Sequence, residues 1–255
     1  MHARRLYAHR GASAECPENT MPAFERAVEI GVDALEMDVH VTRDGHLVVV
    51  HDPDGARTTG ARLAWCDLDL ADVRRLDAGW GFVAADGSRP FAGKAIRVPV
   101  FAEVLAAFPA MRINVDLKGD RAVALMLDLL RARGAEDRVT LASFQLATLV
   151  EIRRRGYGGE TALSQAEVAA LLALPAMLWR QLPWTGTAAQ VPVHAGRIRF
   201  DRATFIAKCH SIGLRVDFWT IDERDQAARL LELGADGIIT NDPRALRPLF
   251  TPANG

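Results

Sequence analysis

Short apolar runs alternate with amphipathic segments along most of this chain. The runs are rich in β-branched and other apolar residues, and polar residues follow where many of them end, so we predict that they form strands. In chain order the predicted strands are Arg5–Ala8, Ala34–Val39, Arg112–Leu117, Val139–Ala142, Glu160–Leu163, Gln190–Pro192, Leu214–Trp219 and Gly237–Thr240.

The amphipathic segments between these runs predict helices. They are Met21–Ile30, Phe101–Phe108, Arg121–Arg133, Leu146–Arg155, Gln165–Leu172, Arg202–Ile212, Glu223–Leu233 and Pro243–Leu249. Eight strands that alternate with eight helices are typical of an α/β fold of the (β/α)8, or TIM, barrel type. An open, doubly wound sheet is the alternative, but no Gly-x-Gly-x-x-Gly turn follows the first predicted strand, which disfavours it.

Residues 40–98 depart from this alternation. The pair Asp44-Gly45 predicts a tight turn that returns the chain antiparallel to the second strand, and the return run ends at His51. If the turn centres near Asp44, His51 lies across from Met37 or from Asp38, and a slip of one residue would change the face that it occupies.

The remainder of the insertion, about residues 53–98, predicts a small lobe after the second strand and over the barrel mouth, with a helix at Asp69–Leu76. No linker or internal repeat divides the chain, so we expect residues 1–255 to form one domain.

Composition excludes several classes of function. A net charge of −1 over 255 residues gives no support for a nucleic-acid partner. The three cysteines are far apart in the sequence, which suits a reducing compartment without structural zinc. The most apolar stretch, Val168–Trp179, is too short to span a bilayer, and no signal peptide is evident. We therefore expect a cytoplasmic protein without stable membrane anchoring, of an oligomeric state that the sequence leaves open.

Three acids at strand ends suggest a metal site. Glu36 and Asp38 are one residue apart on a strand and point the same way, and Asp116 ends the next strand of the barrel. Buried carboxylates are costly unless a cation or several donors compensate them. Three oxygen ligands without cysteine favour one divalent cation, Mg²⁺ or Ca²⁺, and do not separate the two.

Two histidines and two cationic side chains add the other groups that hydrolysis of a phosphate ester requires. His9 and Arg10 end the first strand, His51 ends the hairpin, and Lys118 shares a strand face with Asp116. A histidine moves protons near neutral pH, and a guanidinium or ammonium binds phosphate oxygens. The plainer alternatives are that His9 only bonds a neighbouring loop and that Lys118 only pairs with Asp116.

Other residues near strand ends are candidates for lining a pocket, although Trp219 could equally be ordinary packing at the barrel mouth. These candidates are Gln190 and Trp219, with Ser143, Asp222 and Asn241. The remaining histidines are predicted to lie on the surface: His2, His40, His46, His194 and His210.

Ordered motifs give the chain a family resemblance. They are His9-Arg10-Gly11, Glu18-Asn19-Thr20, Glu36-Met37-Asp38-Val39, His51-Asp52, Arg57-Thr58-Thr59, Leu76-Asp77-Ala78-Gly79, Pro99 with Glu103, Phe218-Trp219-Thr220 and residues 234–240. In these motifs, from residue 6 to about 247, the chain resembles the bacterial glycerophosphodiester phosphodiesterases.

The resemblance implies a (β/α)8 barrel with an insertion after the second strand. It further implies that Glu36, Asp38 and Asp116 bind the metal and that His9 and His51 are the general acid and base. Arg10 and Lys118 would hold the phosphate oxygens. The implied reaction is metal-dependent hydrolysis to glycerol 3-phosphate and an alcohol, through a cyclic phosphate. Two residues depart from the family pattern: Asp116 replaces the usual glutamate, and Asp222 replaces a common asparagine.

Two other functions remain open. Cleavage of lysophospholipids at the same site, as by a lysophospholipase D, is suggested by the apolar stretch Val168–Trp179 with Leu182 and Trp184, although packing against neighbouring helices would also explain it. A phosphate-ligand binding protein without catalysis is suggested only by the change at Asp116. The head group that leaves is not predicted.

Overall fold

A computed structural model describes residues 2–179, 181–182 and 184–250. Its strands are β1 (Arg5–Ala8), β2 (Ala34–Val41), β3 (Leu47–Val49), β4 (Asp54–Gly55), β5 (Ala61–Ala64), β6 (Arg112–Leu117), β7 (Val139–Ala142), β8 (Ala188–Pro192), β9 (His194–Ala195), β10 (Ile198–Arg199), β11 (Arg215–Trp219) and β12 (Gly237–Thr240). None of the helices in the described part of the chain has the length and apolarity that crossing a bilayer requires.

The α-helices are α1 (Met21–Ile30), α2 (Ala56–Thr59), α3 (Leu70–Val73), α4 (Phe101–Ala107), α5 (Arg121–Arg133), α6 (Leu146–Arg154), α7 (Gln165–Ala173), α8 (Ala176–Trp179), α9 (Ala203–His210), α10 (Arg224–Glu232) and α11 (Pro243–Leu246). Four of the eight predicted helices end one or two residues earlier than expected, and two end at the predicted residue. The predicted helix 243–249 changes to a 3-10 turn at Arg247–Leu249, because Pro248 has no backbone N–H to donate to the carbonyl four residues earlier.

Parallel strands form the curled sheet of the barrel. Their order is β7-β6-β2-β1-β12-β11-β8. The ring closes through residues 160–163, where Thr161 pairs with Leu141 and Ala162 pairs with Ala188, both in parallel. This segment was predicted as a strand but makes only these two isolated bridges. The (β/α)8 barrel fold is confirmed.

The alternation of β2 explains how this strand serves both the core and the barrel interior. Leu35, Met37 and Val39 belong to the apolar layer between the strands and the helices. Successive side chains on a strand face opposite ways, so Glu36 and Asp38 face the barrel interior. The same strand therefore buries its apolar residues and presents two acids to the mouth.

The hairpin of β2 and β3 has the register Val39 with Val49 and Val41 with Leu47. Extended by two residues, this register puts His51 across from Met37, the first of the two predicted positions. A second, small apolar cluster joins the return run of the hairpin to the insertion that follows: Val48, Val50, Trp65, Val73, Ala78 and Val98. The predicted helix 69–76 of the insertion is shorter, Leu70–Val73, because tighter turns such as Leu76 N–H to Val73 O continue it.

Candidate active site

The barrel mouth holds a cavity of about 360 Å³. The residues suggested for catalysis, phosphate and metal binding line this cavity, with Gln190 and Trp219: His9, Arg10, Glu36, Asp38, His51, Asp116 and Lys118. These residues come from β1, β2, β6, β8 and β11 and from the hairpin, so the parallel arrangement of the barrel brings them together. Of the other candidates for lining a pocket, Ser143 lines the cavity, and Asp222 and Asn241 do not.

Three buried acids line one side of the cavity. β2 and β6 pair in register, so Asp38 lies beside Asp116, and Glu36 is two residues before Asp38 on β2. Burial, reinforced by the charge of Asp38, raises the pKa of Glu36 well above its usual value. Burial also raises the pKa of Asp116 to about 6, against the opposing effect of Lys118. In the absence of a bound cation, these acids resist being charged together.

Lys118 bridges two of the acids. Its Nζ lies 2.8 Å from Asp38 Oδ1 and 2.6 Å from Asp116 Oδ2. Burial alone would raise the pKa of Asp38, but Lys118 and then Arg10 hold it below its usual value. Lys118 therefore makes the predicted pairing with Asp116 and also contacts Asp38, within the cavity.

Arg10 is oriented by a left-handed turn at the end of β1. Its φ is 57°, and that of Gly11 is 81°. A Cβ at Gly11 would lie 2.7 Å from Ala23, so only glycine fits there. The turn lets Arg10 N–H donate to Glu36 Oε2 at 2.9 Å, while Arg10 Nε lies 3.3 Å from Asp38 Oδ2.

The donor set fits a hard divalent cation. Asp116 Oδ1 is buried and meets no hydrogen-bond donor among the described residues, and the carboxylates of Glu36 and Asp38 line the same cavity. As the side chains stand, no group of three histidine, cysteine or acidic residues within the described ranges is arranged to hold an ion, and Lys118 Nζ contacts two of the acids. Oxygen ligands of this charge suit Mg²⁺ or Ca²⁺.

The two histidines have different partners. His9 Nδ1 is 2.7 Å from Asn241 Oδ1, and its Nε2 is 4.0 Å from Glu36 Oε2. Burial and then Arg10 lower the pKa of His9, which favours the neutral imidazole. His51 Nδ1 is 2.8 Å from Asp52 Oδ1. One histidine thus faces an amide and the other a carboxylate.

The prediction for His40 was wrong. It is half-buried, and its Nε2 is 3.0 Å from the carbonyl oxygen of His51. It lies on β2 across from Val48, and His51 follows three residues later on the return run. His2, His46 and His194 are exposed as expected, and His210 is half-exposed beside Asp236.

The wall of the cavity away from the acids is largely apolar. Trp219 packs edge-on against Phe144 with 5.9 Å between ring centroids. Gln190 exchanges hydrogen bonds with Asn114 at 3.2 and 3.3 Å. The apolar residues lining the cavity include Leu163, Val168, Val191, Phe200 and Ile239.

Sequence reasoning missed some supporting residues. Asn19 Nδ2 donates to Asp38 Oδ2 at 3.1 Å, and Arg57 Nε donates to Asp52 Oδ2 at 2.7 Å. Asn19 and Arg57 stood among the family motifs, but no local pattern indicates the side chain that each one meets. Asn241 was expected only as a lining residue, whereas it contacts His9.

The fold and the site define a class: barrel enzymes that act on phosphate esters, with acids, histidines and cations collected at the carboxyl ends of the strands. The model of the glycerophosphoryl diester phosphodiesterase family matches residues 9–245, and the chain belongs to this family. It is therefore a phosphoric diester hydrolase. The family generally depends on a divalent metal ion.

Similar proteins span nearly the whole chain. A glycerophosphodiester phosphodiesterase of Caldanaerobacter subterraneus subsp. tengcongensis is 30% identical over 94% of this chain and 95% of its own length. A lysophospholipase D of Homo sapiens is 28% identical over 94% of this chain and 84% of its own. The crystal structure of a putative glycerophosphoryl diester phosphodiesterase from Silicibacter pomeroyi superposes with a TM-score of 0.78 at 25% identity, covering 98% and 93% of the two chains.

Proposed function

We propose that this enzyme hydrolyses glycerophosphodiesters to glycerol 3-phosphate and an alcohol, with the help of one divalent cation. The observation that carries the proposal is the cavity in which buried Glu36, Asp38 and Asp116 lie together with two histidines and two cationic side chains. Such a site combines a place for a hard metal, proton carriers and anion-binding groups, which is what a phosphodiester requires.

Glu36, Asp38 and Asp116 would hold the cation, and the buried Asp116 Oδ1 gives it an oxygen that no donor of the described chain satisfies. A bound Mg²⁺ or Ca²⁺ supplies neutralisation of phosphate charge in the transition state. Arg10 and Lys118 would then bind phosphate oxygens, and Lys118 would exchange part of its contact with Asp38 and Asp116 for the substrate.

His9 and His51 would move the protons. The 2-hydroxyl of the glycerol attacks phosphorus, and one histidine takes its proton. The bond from phosphorus to the alcohol breaks, and the other histidine protonates the departing oxygen. Water then opens the cyclic phosphate to glycerol 3-phosphate. The internal hydroxyl reacts readily because it is already held next to phosphorus.

The test is release of glycerol 3-phosphate from glycerophosphocholine and glycerophosphoethanolamine, with Mg²⁺, with Ca²⁺ and with EDTA. We expect release that EDTA abolishes and a divalent ion restores. Activity that survives exhaustive chelation would refute the metal assignment. Binding of glycerophosphocholine without turnover in any condition would refute catalysis and support a binding protein instead.

A second candidate substrate is a lysophospholipid, cleaved at the same site. Its support is the apolar wall of the cavity, which includes Val168, together with the exposed Leu178 and Leu182 nearby in the sequence, 48% and 42% exposed. The lysophospholipase D name of the human relative agrees with it. Against it, Leu171 and Trp179 of the same stretch are buried in the core.

Turnover measured separately with each substrate distinguishes these two candidates. Good turnover of glycerophosphocholine without release of choline from lysophosphatidylcholine would exclude the lipid substrate. Choline release from lysophosphatidylcholine at a comparable kcat/KM would establish it.

A further inference from the structure

We infer that Asp222 and Asn241 are positioning residues that hold His9 in the tautomer with its hydrogen on Nδ1, leaving Nε2 free to accept a proton from substrate. The inference rests on the proposed function for the identity of that proton. The tautomer itself follows from the donors and acceptors around the imidazole, and it can be measured without turnover.

Asp222 receives three hydrogen bonds at the rim of the barrel. Its Oδ1 accepts from Thr240 Oγ1 at 2.9 Å and from the backbone N–H of Asn241 at 2.8 Å. Its Oδ2 accepts from Asn241 Nδ2 at 2.9 Å. A carboxylate only accepts hydrogen bonds, so the amino group of the Asn241 amide must be the part that faces Asp222.

The orientation of Asn241 then determines the tautomer of His9. With its nitrogen toward Asp222, the amide presents Oδ1 to His9 Nδ1 at 2.7 Å. A carbonyl oxygen cannot donate, so Nδ1 must carry the hydrogen. Ser13 Oγ, 3.0 Å from the same Oδ1 and 2.9 Å from the backbone oxygen of His9, helps to fix both residues.

The free nitrogen faces the reacting end of the cavity. His9 Nε2 is 4.0 Å from Glu36 Oε2, on the side of the acid cluster. In the Nδ1–H tautomer this nitrogen has a lone pair and accepts a proton. In the Nε2–H tautomer it would present a hydrogen instead, and it would be unable to act as a base.

In this chain, where residue 241 is also an asparagine, an asparagine at position 222 would weaken this selection. In Asp222→Asn, Oδ1 still accepts from Thr240 and from the backbone of Asn241, but an amino group now meets the amino group of Asn241. Turning the Asn241 amide relieves that clash, and the turned amide donates to His9 Nδ1. His9 would then be driven toward the Nε2–H tautomer, with almost no change in the size of any side chain.

The experiment combines NMR of ¹⁵N-histidine-labelled enzyme with steady-state kinetics. The variants are Asp222→Asn, the control Asp225→Asn, and His9→Ala, which assigns the His9 signals by their loss. Asp225 is in the first turn of α10, and its substitution removes the same charge without a described contact to His9 or Asn241. Circular dichroism verifies the fold of each variant.

In the wild-type enzyme we expect coupling patterns of an Nδ1–H imidazole for His9. Asp222→Asn should raise the Nε2–H population and lower kcat about tenfold, with KM changed less than about twofold, and Asp225→Asn should resemble wild type. A purely structural role for Asp222 would leave the tautomer ratio unchanged.

Two results would overturn the inference. One is an Nε2–H imidazole at His9 in the wild-type enzyme, and the other is a ratio of the two His9 tautomers that Asp222→Asn leaves unaltered. The proposed function fails separately. If glycerophosphodiesters are not hydrolysed while His9 shows the expected tautomer and response, the positioning pair stands and the substrate assignment falls.

Discussion

Glu36 and Asp116 at the mouth of the barrel and Glu160 at its other end are held in opposite ways. At the mouth, Glu36 and Asp116 lie among like charges, and burial raises the pKa of each. At the other end, Arg5 binds both oxygens of Glu160 at 2.8 and 3.1 Å, and Thr140 Oγ1 donates at 2.9 Å. There, mainly through its hydrogen bond with Arg5, the pKa of Glu160 falls to about 2.

This difference separates acids that stabilise the fold from acids that are available to a ligand. Asp217 shows that a raised pKa alone is not the criterion. Burial raises its pKa too, but Tyr7, Gln190 and Arg215 all contact its oxygens at 3.1 to 3.5 Å. Asp116 Oδ1, in contrast, meets no donor in the described ranges. An acid that its own protein leaves unsatisfied is the better candidate for binding a cation.

The largest test of this comparison is Glu36→Gln. The variant keeps an acceptor for Arg10 N–H but removes the charge, so turnover should fall at least about a thousandfold. The melting temperature of the metal-free protein should be no lower than that of wild type, because a buried carboxylate no longer has to be accommodated. Glycerol 3-phosphate release and thermal unfolding in EDTA measure the two effects. A clear loss of thermal stability would place Glu36 with the stabilising acids.

Removal of either histidine should have the next largest effect. His9→Ala and His51→Ala should each lower kcat at least about a hundredfold, which is the lower range for general acid–base catalysis. Single-turnover kinetics with saturating metal would measure this loss. A variant that keeps a near-normal rate removes that histidine from the mechanism.

Glu160→Gln should have the reverse profile of Glu36→Gln. Removing the partner of Arg5 should lower the free energy of unfolding by about 1–2 kcal/mol at pH 7, a figure reduced for screening because the Glu160 side chain is 30% exposed. Activity should remain within about twofold of wild type. Urea unfolding, with Arg5→Met and the double variant as controls, isolates the pair. A large activity loss at unchanged stability would contradict the comparison.

Much of the fold was predictable because barrel strands carry a simple signal. Seven of the eight predicted strands are present as strands, since buried apolar runs bounded by turns leave little choice of period. The prediction of a full strand at 160–163 was wrong for a physical reason. Two bridged residues close the ring as well as a full strand does, and the local sequence does not distinguish the two arrangements.

The candidate site was predictable as a set of residues but not as a network. Alternation on β2 already put Glu36 and Asp38 on one face, and strand order put Asp116 beside them. The contact of His9 with Asn241 joins residues 232 positions apart, and the contact of His40 with His51 depends on the exact geometry beyond the end of the hairpin. No local pattern encodes such contacts, so the partners of both histidines had to come from the structure.

The smallest expected effect is a pair of opposite pH slopes. The pKa of Glu160 is lowered from 4.5 to about 2, so its contribution to stability is complete above about pH 4.5 and is lost as pH falls toward 2. The stability difference between wild type and Glu160→Gln should therefore shrink below pH 4.5, to less than about half near pH 3.

The contribution of Asp116 to stability should change with pH in the opposite direction. Its pKa is raised from 3.8 to about 6, so the metal-free native state favours the protonated acid, and its contribution is lost as pH rises from 3.8 through 6. The difference between wild type and Asp116→Asn should accordingly fall as pH rises over that window. Urea unfolding in EDTA at half-unit pH steps measures both curves. If the two stability differences change with pH in the same direction, the two ends of the barrel do not differ in how they hold their acids. If they change in opposite directions, the acid whose charge the fold leaves uncompensated is the one at the mouth.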